Sequence, residues 1–335
     1  MRRSAHRIFL TLAATVFIHH LSAEAEPAVT LWEQAVGAAQ HAADEGEFDL
    51  AEQLLMVEVA NLETTPDRTR LMVTLNELAV VYYSMGQYSK SERTYHRAIQ
   101  FAEGPPRAGG LAYAKLLDGL ASVYLSVGRY SEAERLRVRA LEQLPPDIGP
   151  DHSERGQILS NLGTLYASRK KYEQALRAYQ QALQIFENGS DDDHACRVVQ
   201  NLGVLAAQMG DYMQATEYLT RAVSGLEGRL GSSHPVLVRP LINQADVYLR
   251  LKMPTAAEAF ALRAVTIAQS AFAPMHPMVA AAMMSYSETL KASNRKTEAK
   301  EMRSRALRIL RENRADHAAA TTTVHVSDLS TRLPR

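Results

Sequence analysis

The segment 120–133 reads LASVYLSVGRYSEA and contains a pattern that recurs along this chain. A small residue is followed three positions later by a tyrosine, and a glycine-x-tyrosine triplet then precedes a further alanine. Variants of this phrase return along the sequence, more worn in the last two copies, with the small residue at positions 39, 79, 121, 163, 203, 245 and 287. Successive copies follow at a nearly constant interval, so the seven copies share one register. A fixed period of roughly 40 residues is the signature of a protein built from stacked repeats.

Each copy predicts two antiparallel helices. In the first helix a leucine and a tyrosine lie four residues apart, as in Leu162 and Tyr166, and so share one face. A glycine, or a polar residue in its place, marks the turn that follows. In the second helix Ala175, Tyr179 and Ala182 recur at spacings of four and three, which again defines one face.

A single helix pair cannot bury its apolar face, so the pairs must stack into a solenoid. The sequence therefore predicts an all-α protein of about seven stacked antiparallel helix pairs. We expect the small residues Gly163, Ala175 and Ala182 to lie where helices of adjacent copies touch. The tyrosines are expected to fill the gaps between helices.

The pattern of small residue, tyrosine, Gly-x-Tyr-x-x-Ala and final alanine resembles the tetratricopeptide repeat family. The usual repeat of that family is shorter, at about 34 residues. The longer period here, with the pairs His234-Pro235 and His276-Pro277 in the linkers, resembles the kinesin-light-chain-like subclass. The resemblance covers about residues 31–311. It implies a right-handed superhelical solenoid that binds other proteins, but the family binds many unrelated ligands, so the partner stays unnamed.

Residues 1–25 are predicted to be a cleavable signal peptide. Three arginines among the first seven residues precede an apolar run over residues 8–18, and Ala23-Glu24-Ala25 offers a small-x-small cleavage pattern. The eleven residues of this run rise only about 16 Å as a helix, roughly half the hydrocarbon core, which favours cleavage over a retained anchor. We therefore expect a periplasmic or secreted protein without stable membrane insertion after cleavage.

The solenoid is predicted to span residues 26–313. Beyond it, residues 314–335 lose the pattern and become rich in alanine, threonine, serine and charged side chains. This composition predicts a disordered C-terminal tail.

Composition excludes several classes of function. Lysine plus arginine and aspartate plus glutamate both total 37, a net charge of zero, which argues against a nucleic-acid partner. The single cysteine, Cys196, rules out an internal disulfide and a cysteine zinc site. No phosphate-binding glycine loop, nucleophile elbow or HExxH motif is present. We therefore expect no catalytic residue, no enzyme activity and no cofactor.

Four histidines recur in the linkers and raise the question of a metal site. Because they lie one copy apart, about 8–10 Å or more, they are too distant to share an ion. The sequence favours a role at helix starts, with no metal bound. The acidic run 191–193 lacks the spaced ligands of a calcium loop and is predicted to be a solvated turn. The recurring histidines are His152, His194, His234 and His276.

One polar stripe remains as a candidate binding site. It runs along the first helices, offset from the leucine and tyrosine face. Two residues before the small position stand asparagines in three successive copies, and four residues earlier, on the same helix face, stand glutamine or arginine. In the resembled family this stripe lines a concave groove. The residues are Asn161, Asn201 and Asn243, preceded by Gln157, Arg197 and Arg239.

Two interpretations of the stripe stay open. Asparagine can donate to and accept from the backbone of an extended peptide, and arginine can pair with a carboxylate. Alternatively, the asparagines recur through helix capping or descent of the repeat. Our leading hypothesis is a non-enzymatic scaffold that binds a partner protein or peptide in its concave groove through Asn161, Arg197, Asn201, Arg239 and Asn243. The alternative is a structural assembly factor that uses its end caps or convex face.

Overall fold

The computed structural model describes residues 30–44, 46–104, 110–145, 149 and 152–318. In these residues the chain forms fourteen α-helices and no strand, which confirms the all-α prediction. Consecutive helices pack as seven pairs, and each pair packs on the next. The helices are α1 (Leu31–Asp44), α2 (Phe48–Glu63), α3 (Arg68–Ser84), α4 (Tyr88–Glu103), α5 (Gly110–Ser126), α6 (Tyr130–Gln143), α7 (Ser153–Ser168), α8 (Tyr172–Asn188), α9 (Asp192–Met209), α10 (Tyr212–Leu230), α11 (Val238–Arg250), α12 (Pro254–Ala271), α13 (Pro277–Ala292) and α14 (Lys296–Ala318).

The turn inside each pair has the same backbone conformation in every copy. The residue seven positions after the small one takes a positive φ, which glycine adopts without steric cost. Three copies place a longer side chain there and reach the same conformation, so the turn is set by the packing of the pair. The turn residues are Gly46, Gly86, Gly128, Lys170, Gly210, Lys252 and Asn294.

The curvature follows from which helices approach each other across copies. Each first helix (α1, α3, α5, α7, α9, α11 and α13) comes within 8 Å, Cα to Cα, of the next first helix. Among the described residues, no second helix comes that close to the next second helix, so only long side chains bridge them. The first helices are therefore the closely spaced inner row, and they line the concave face.

The glycines at the small position of α7 and α9 pack within their own pairs. A methyl group placed on Gly163 would lie 2.6 Å from the ring of Tyr179 on α8, and one on Gly203 would lie 2.7 Å from Leu219 on α10. We expected Gly163 to face an adjacent copy, and that expectation is wrong. The close approach joins the two helices of one pair.

The ends of the solenoid differ slightly from the predicted boundaries. The first helix begins at Leu31, and α14 continues to Ala318, five residues past the boundary at 313. The predicted signal peptide and residues 319–335 of the predicted tail lie outside the described residues. No helix in the described part of the chain is both long and apolar enough to span a bilayer.

Candidate functional site

The polar stripe lies along the inner row of helices, where one first helix meets the next. Asn161 on α7 shows this directly, because its side-chain Nδ2 donates to Asp118 Oδ2 on α5 at 2.7 Å. In the preceding copy the same stripe position is Gly119. A methyl group there would lie 2.4 Å from the hydroxyl oxygen of Tyr95 on α4. Stripe residues therefore stand over the preceding copy, at the floor of the concave face.

Asn161 is part of a buried network that joins the third and fourth pairs. Arg137 on α6 is only 2% exposed, and its Nε donates to Asp118 Oδ1 at 3.0 Å. Its Nη1 donates to the backbone carbonyl of Asn161 at 2.8 Å, and its Nη2 donates to Ser122 Oγ at 3.0 Å. Both the amide and the carbonyl of Asn161 are therefore engaged within the protein.

Asn201 and Asn243 differ from Asn161. Each is half-buried, and neither side chain has a hydrogen-bond partner among the described residues. The reason lies one copy earlier, where the positions equivalent to Asp118 hold Ser160 and Gln200. No carboxylate is present there to receive the amide. Within the described ranges, the donors and acceptors of these two asparagine side chains are therefore free.

Arg197 and Arg239 lie on the same stripe. We refer to these two arginines together with Asn201 and Asn243 as the strip. Both are exposed, and neither forms an ion pair with any described residue. The carboxylates closest to them in sequence are engaged elsewhere: Asp193 pairs with Arg229 at 2.9 Å and Asp246 with Arg250 at 3.8 Å. The fifth and sixth copies therefore present two free guanidinium groups beside the two free amides.

The earlier copies do not repeat this arrangement. At the stripe positions, Glu77 accepts from Gln40 Nε2 at 3.1 Å, and Lys115 pairs with Glu154 at 3.1 Å. Gln157 donates to Ser153 Oγ at 3.3 Å. The free part of the stripe is consequently confined to α9 and α11.

A tetratricopeptide repeat profile matches residues 111–188, 195–270 and 241–312, and a second profile of the same repeat matches residues 71–103. Together they cover more than half of the chain. The chain belongs to the tetratricopeptide repeat family. Tetratricopeptide repeats are typical protein–protein interaction scaffolds, and the helix pairs described above are those repeats. The kinesin-light-chain-like subclass stays a prediction.

Solved structures show the same fold at low sequence identity. A tetratricopeptide repeat protein from Parabacteroides merdae aligns with a TM-score of 0.53 at 17% identity, covering 83% of this chain and 93% of that one. The apo form of RapI aligns with a TM-score of 0.63 at 15% identity, covering 85% and 99%. A Rap protein complexed with competence and sporulation factor aligns with a TM-score of 0.53 at 17% identity, covering 80% and 76%. By sequence, the chain matches no curated protein.

The histidines between the tetratricopeptide repeats serve helix starts, as predicted, in three of four cases. The Nδ1 atoms of His152, His234 and His276 accept from the backbone N–H two residues later, at 3.2, 3.3 and 3.0 Å. His194 differs, because Asp191 caps α9 and His194 Nδ1 bonds to that carboxylate at 2.8 Å. In the described part of the chain, no three His, Cys, Asp or Glu side chains are grouped to hold a metal.

The surroundings of Cys196 disfavour a reactive thiolate. Its side chain is half-buried against Gly225, and burial raises the pKa of its thiol. A raised pKa disfavours the thiolate, which is the nucleophilic form of cysteine.

Arg137 is the residue of this region that sequence analysis missed. It occupies the second-helix position where other copies place Tyr95, Tyr179 or Leu219. A charged residue in a column that is aromatic or aliphatic in five of the seven repeats was the available signal, although Arg303 of the last repeat shares it. Its partner Asp118 lies at a column that varies, so the pair becomes evident only in three dimensions.

Proposed function

We propose that this tetratricopeptide repeat protein is a non-catalytic scaffold that binds an extended segment of a partner protein across the fifth and sixth repeats. One observation supports this proposal above the others: the side chains of Asn201, Asn243, Arg197 and Arg239 lack partners among the described residues. An amide that is half-buried without a hydrogen bond gains free energy when a ligand supplies one.

The chemistry of the strip suits a peptide main chain with an acidic side chain or terminus. Each asparagine offers two donors and an acceptor to the peptide backbone. Each arginine can hold a carboxylate through two parallel hydrogen bonds. The two pairs occupy the same positions in adjacent repeats, so a peptide laid along the inner row of helices meets them in succession.

Asn161 has another role in this proposal. Its bonds to Asp118 and Arg137 hold α7 against the preceding repeat. Fixed spacing of the inner helices reduces the ordering cost when a ligand binds. In this proposal Asn161 therefore fixes the spacing of the helices that line the groove, whereas Asn201 and Asn243 contact the ligand.

The test begins with the partner, captured on the tagged protein from its own compartment and identified by mass. Titration calorimetry with that partner then compares variants. Asn201→Ala and Asn243→Ala should each weaken binding by about 1–3 kcal/mol, because each removes a hydrogen bond that becomes buried in the complex. Arg197→Ala and Arg239→Ala should weaken binding and flatten its dependence on salt, because ionic contacts are screened.

Two exposed residues on α8 provide matched controls. Gln184→Ala and Arg177→Ala remove an amide and a guanidinium from the outer row of helices, and both should bind the partner as the parent does. If the four strip variants bind as tightly as these controls, the strip is a relic of repeat descent and the proposal is wrong.

A second candidate function is assembly into a larger complex through the first repeat. On α2 three large apolar side chains are exposed, namely Leu50, Met56 and Val57, the last at 62%. Under this alternative, Val57→Ser would abolish association while the four strip variants would not affect it. The two proposals therefore predict opposite outcomes in the same binding assay.

We further propose that the protein is periplasmic or secreted, on the strength of the signal-peptide pattern at residues 1–25. N-terminal sequencing of the exported protein should begin at Glu26. Recovery of the intact chain from the membrane fraction would contradict cleavage and favour an anchor.

A further inference from the structure

A regular series of ion pairs joins the second helices of successive repeats. In four of the six junctions, an arginine of one second helix pairs with a glutamate near the end of the preceding second helix. In its own helix, the arginine always lies one residue before the position of the final alanine in the repeat pattern. In the preceding second helix, the glutamate lies five residues after the equivalent position. We refer to this series as the arginine ladder: Arg97–Glu63, Arg139–Glu103, Arg221–Glu187 and Arg263–Glu227.

The two remaining junctions lose the pair in different ways. Between the third and fourth repeats the ladder positions hold Pro145 and Gln181, so both charges are gone. Between the sixth and seventh repeats Gln269 replaces the glutamate while Arg305 remains. Only this last junction keeps the cation without its carboxylate.

A cavity of about 240 Å³ opens at that last junction, between α12, α13 and α14. Gln269 and Arg305, the two ladder positions, both line it. Its floor is apolar and comes from Met275 together with the buried side chains of Val279, Met283 and Ile309.

The rim of the cavity is cationic. Arg305 and Arg308 are both exposed and lie three residues apart on one face of α14. Neither forms an ion pair within the described residues, although Glu301 and Glu312 each lie four residues from one of them. The equivalent of Arg308 in the other repeats is uncharged or acidic, so this junction has lost one negative charge and gained a positive one.

We propose that this cavity binds an amphiphilic carboxylate, a medium-chain alkyl carboxylate whose apolar chain lies on the floor and whose carboxylate meets Arg305 and Arg308. The arginine ladder supports this choice of ligand, because the arginine at the position equivalent to Arg305 binds a carboxylate at four other junctions of this chain. The volume fits as well. An enclosed apolar cavity of about 150 Å³ accepts benzene, and this open cavity, at about 240 Å³, is large enough for a short alkyl chain. This site is independent of the concave strip.

The experiment is titration calorimetry of the purified full chain with sodium octanoate, below the concentration at which it forms micelles. We expect saturable binding of one octanoate per chain. Octanol lacks the carboxylate and acetate lacks the chain, so each should bind at least about ten-fold more weakly, the usual effect of losing a charge-assisted hydrogen bond or the apolar contacts.

Two variants test the assignment from opposite directions. Arg305→Gln removes the cation, whereas Gln269→Glu restores the missing member of the ladder and gives Arg305 an internal carboxylate. Both should weaken octanoate binding by at least about ten-fold. Gln269→Glu should unfold at a temperature no lower than the parent, so its loss of binding cannot reflect misfolding.

Arg303→Gln on the same helix is the matched control, because Arg303 pairs with Glu288 and does not line the cavity. It should bind octanoate as the parent does. The proposal is wrong if the parent shows no saturable binding, if octanol binds as well as octanoate, or if Gln269→Glu and Arg305→Gln bind as tightly as Arg303→Gln.

Discussion

At the scale of single residues, a histidine side chain caps the first helical turn at three places, namely at His152, His234 and His276. Serine, threonine, aspartate and asparagine are the usual N-caps, and they cap at any physiological pH. A histidine caps only while Nδ1 is unprotonated, because a protonated ring nitrogen has no lone pair to accept with. The sequence indicated a helix-start role from the prolines after His234 and His276. It could not exclude His194, because the competing cap Asp191 is recognised only by its hydrogen bond.

His276 predicts a measurable dependence of stability on pH. Its Nδ1 accepts from the backbone N–H of Met278, its ring stacks on Phe272 with centroids 4.4 Å apart, and burial lowers its pKa. Because the pKa is lower in the folded state, the unfolded chain binds more protons, and stability falls as the pH drops through about 6.5 toward the folded value. Thermal unfolding at pH 8 and pH 5 measures this loss.

The variant His276→Asn keeps a capping side chain and removes the titration. Its stability at pH 8 should stay within about 1 kcal/mol of the parent, and its loss on acidification should be smaller. His41→Asn is the control, because His41 is exposed on α1 and caps no helix. Equal losses for the parent and His276→Asn would contradict this account.

At the scale of helices, sequence periodicity identified which face of each helix is buried but not which neighbour covers it. The alternation of three and four residues placed Gly163 and Tyr179 on buried faces correctly. It assigned Gly163 to the wrong contact, because the same face could meet either the partner helix or the adjacent repeat. The lack of a side chain on Gly163 lets the Tyr179 ring lie against the α7 backbone.

Replacing glycine by alanine at two first-helix positions should therefore give effects of opposite sign. Gly163→Ala places a methyl group 2.6 Å from the buried Tyr179 ring and should destabilise by about 1–3 kcal/mol. Gly37→Ala on α1 meets nothing within 4 Å and should stabilise by about 0.5–1 kcal/mol, because alanine restricts the unfolded chain and favours helix. Urea unfolding of both variants measures the difference. Shifts of the same sign would refute the packing described here.

At the scale of the whole molecule, each repeat contacts only its neighbours. This is why the number and order of the repeats could be predicted from the sequence alone, since every copy carries its own helix signals. The candidate strip was predictable only as a column of residue types. Asn161, Asn201 and Asn243 look alike in that column, yet only Asn161 has a carboxylate opposite it. Whether a given asparagine has a hydrogen-bond partner depends on the residue opposite it in the adjacent repeat. The sequence of a single repeat does not contain that information.

The junction between the third and fourth repeats should be the place where cooperativity is most easily lost. It lacks the arginine ladder, and Arg137, with Asp118 and Asn161, supplies its most buried polar link. Arg137→Met leaves the Asp118 carboxylate, only 15% exposed, without its cation, and should cost about 3–5 kcal/mol. Because neighbouring repeats are coupled only through such junctions, we expect urea unfolding to separate into two transitions.

Two further variants decide whether the buried charge is the cause. Combining Arg137→Met with Asp118→Asn removes the unpaired charge and keeps an acceptor for the Asn161 amide, so most of the lost stability should return. Arg177→Met breaks an exposed pair with Glu173 and should cost no more than about 1 kcal/mol while leaving a single transition. If Arg137→Met unfolds like Arg177→Met, the polar network does not hold the junction. The coupling of the two halves of the solenoid must then come from the apolar contacts of this junction and from its other ion pairs, Lys115–Glu154 and Arg169–Glu134.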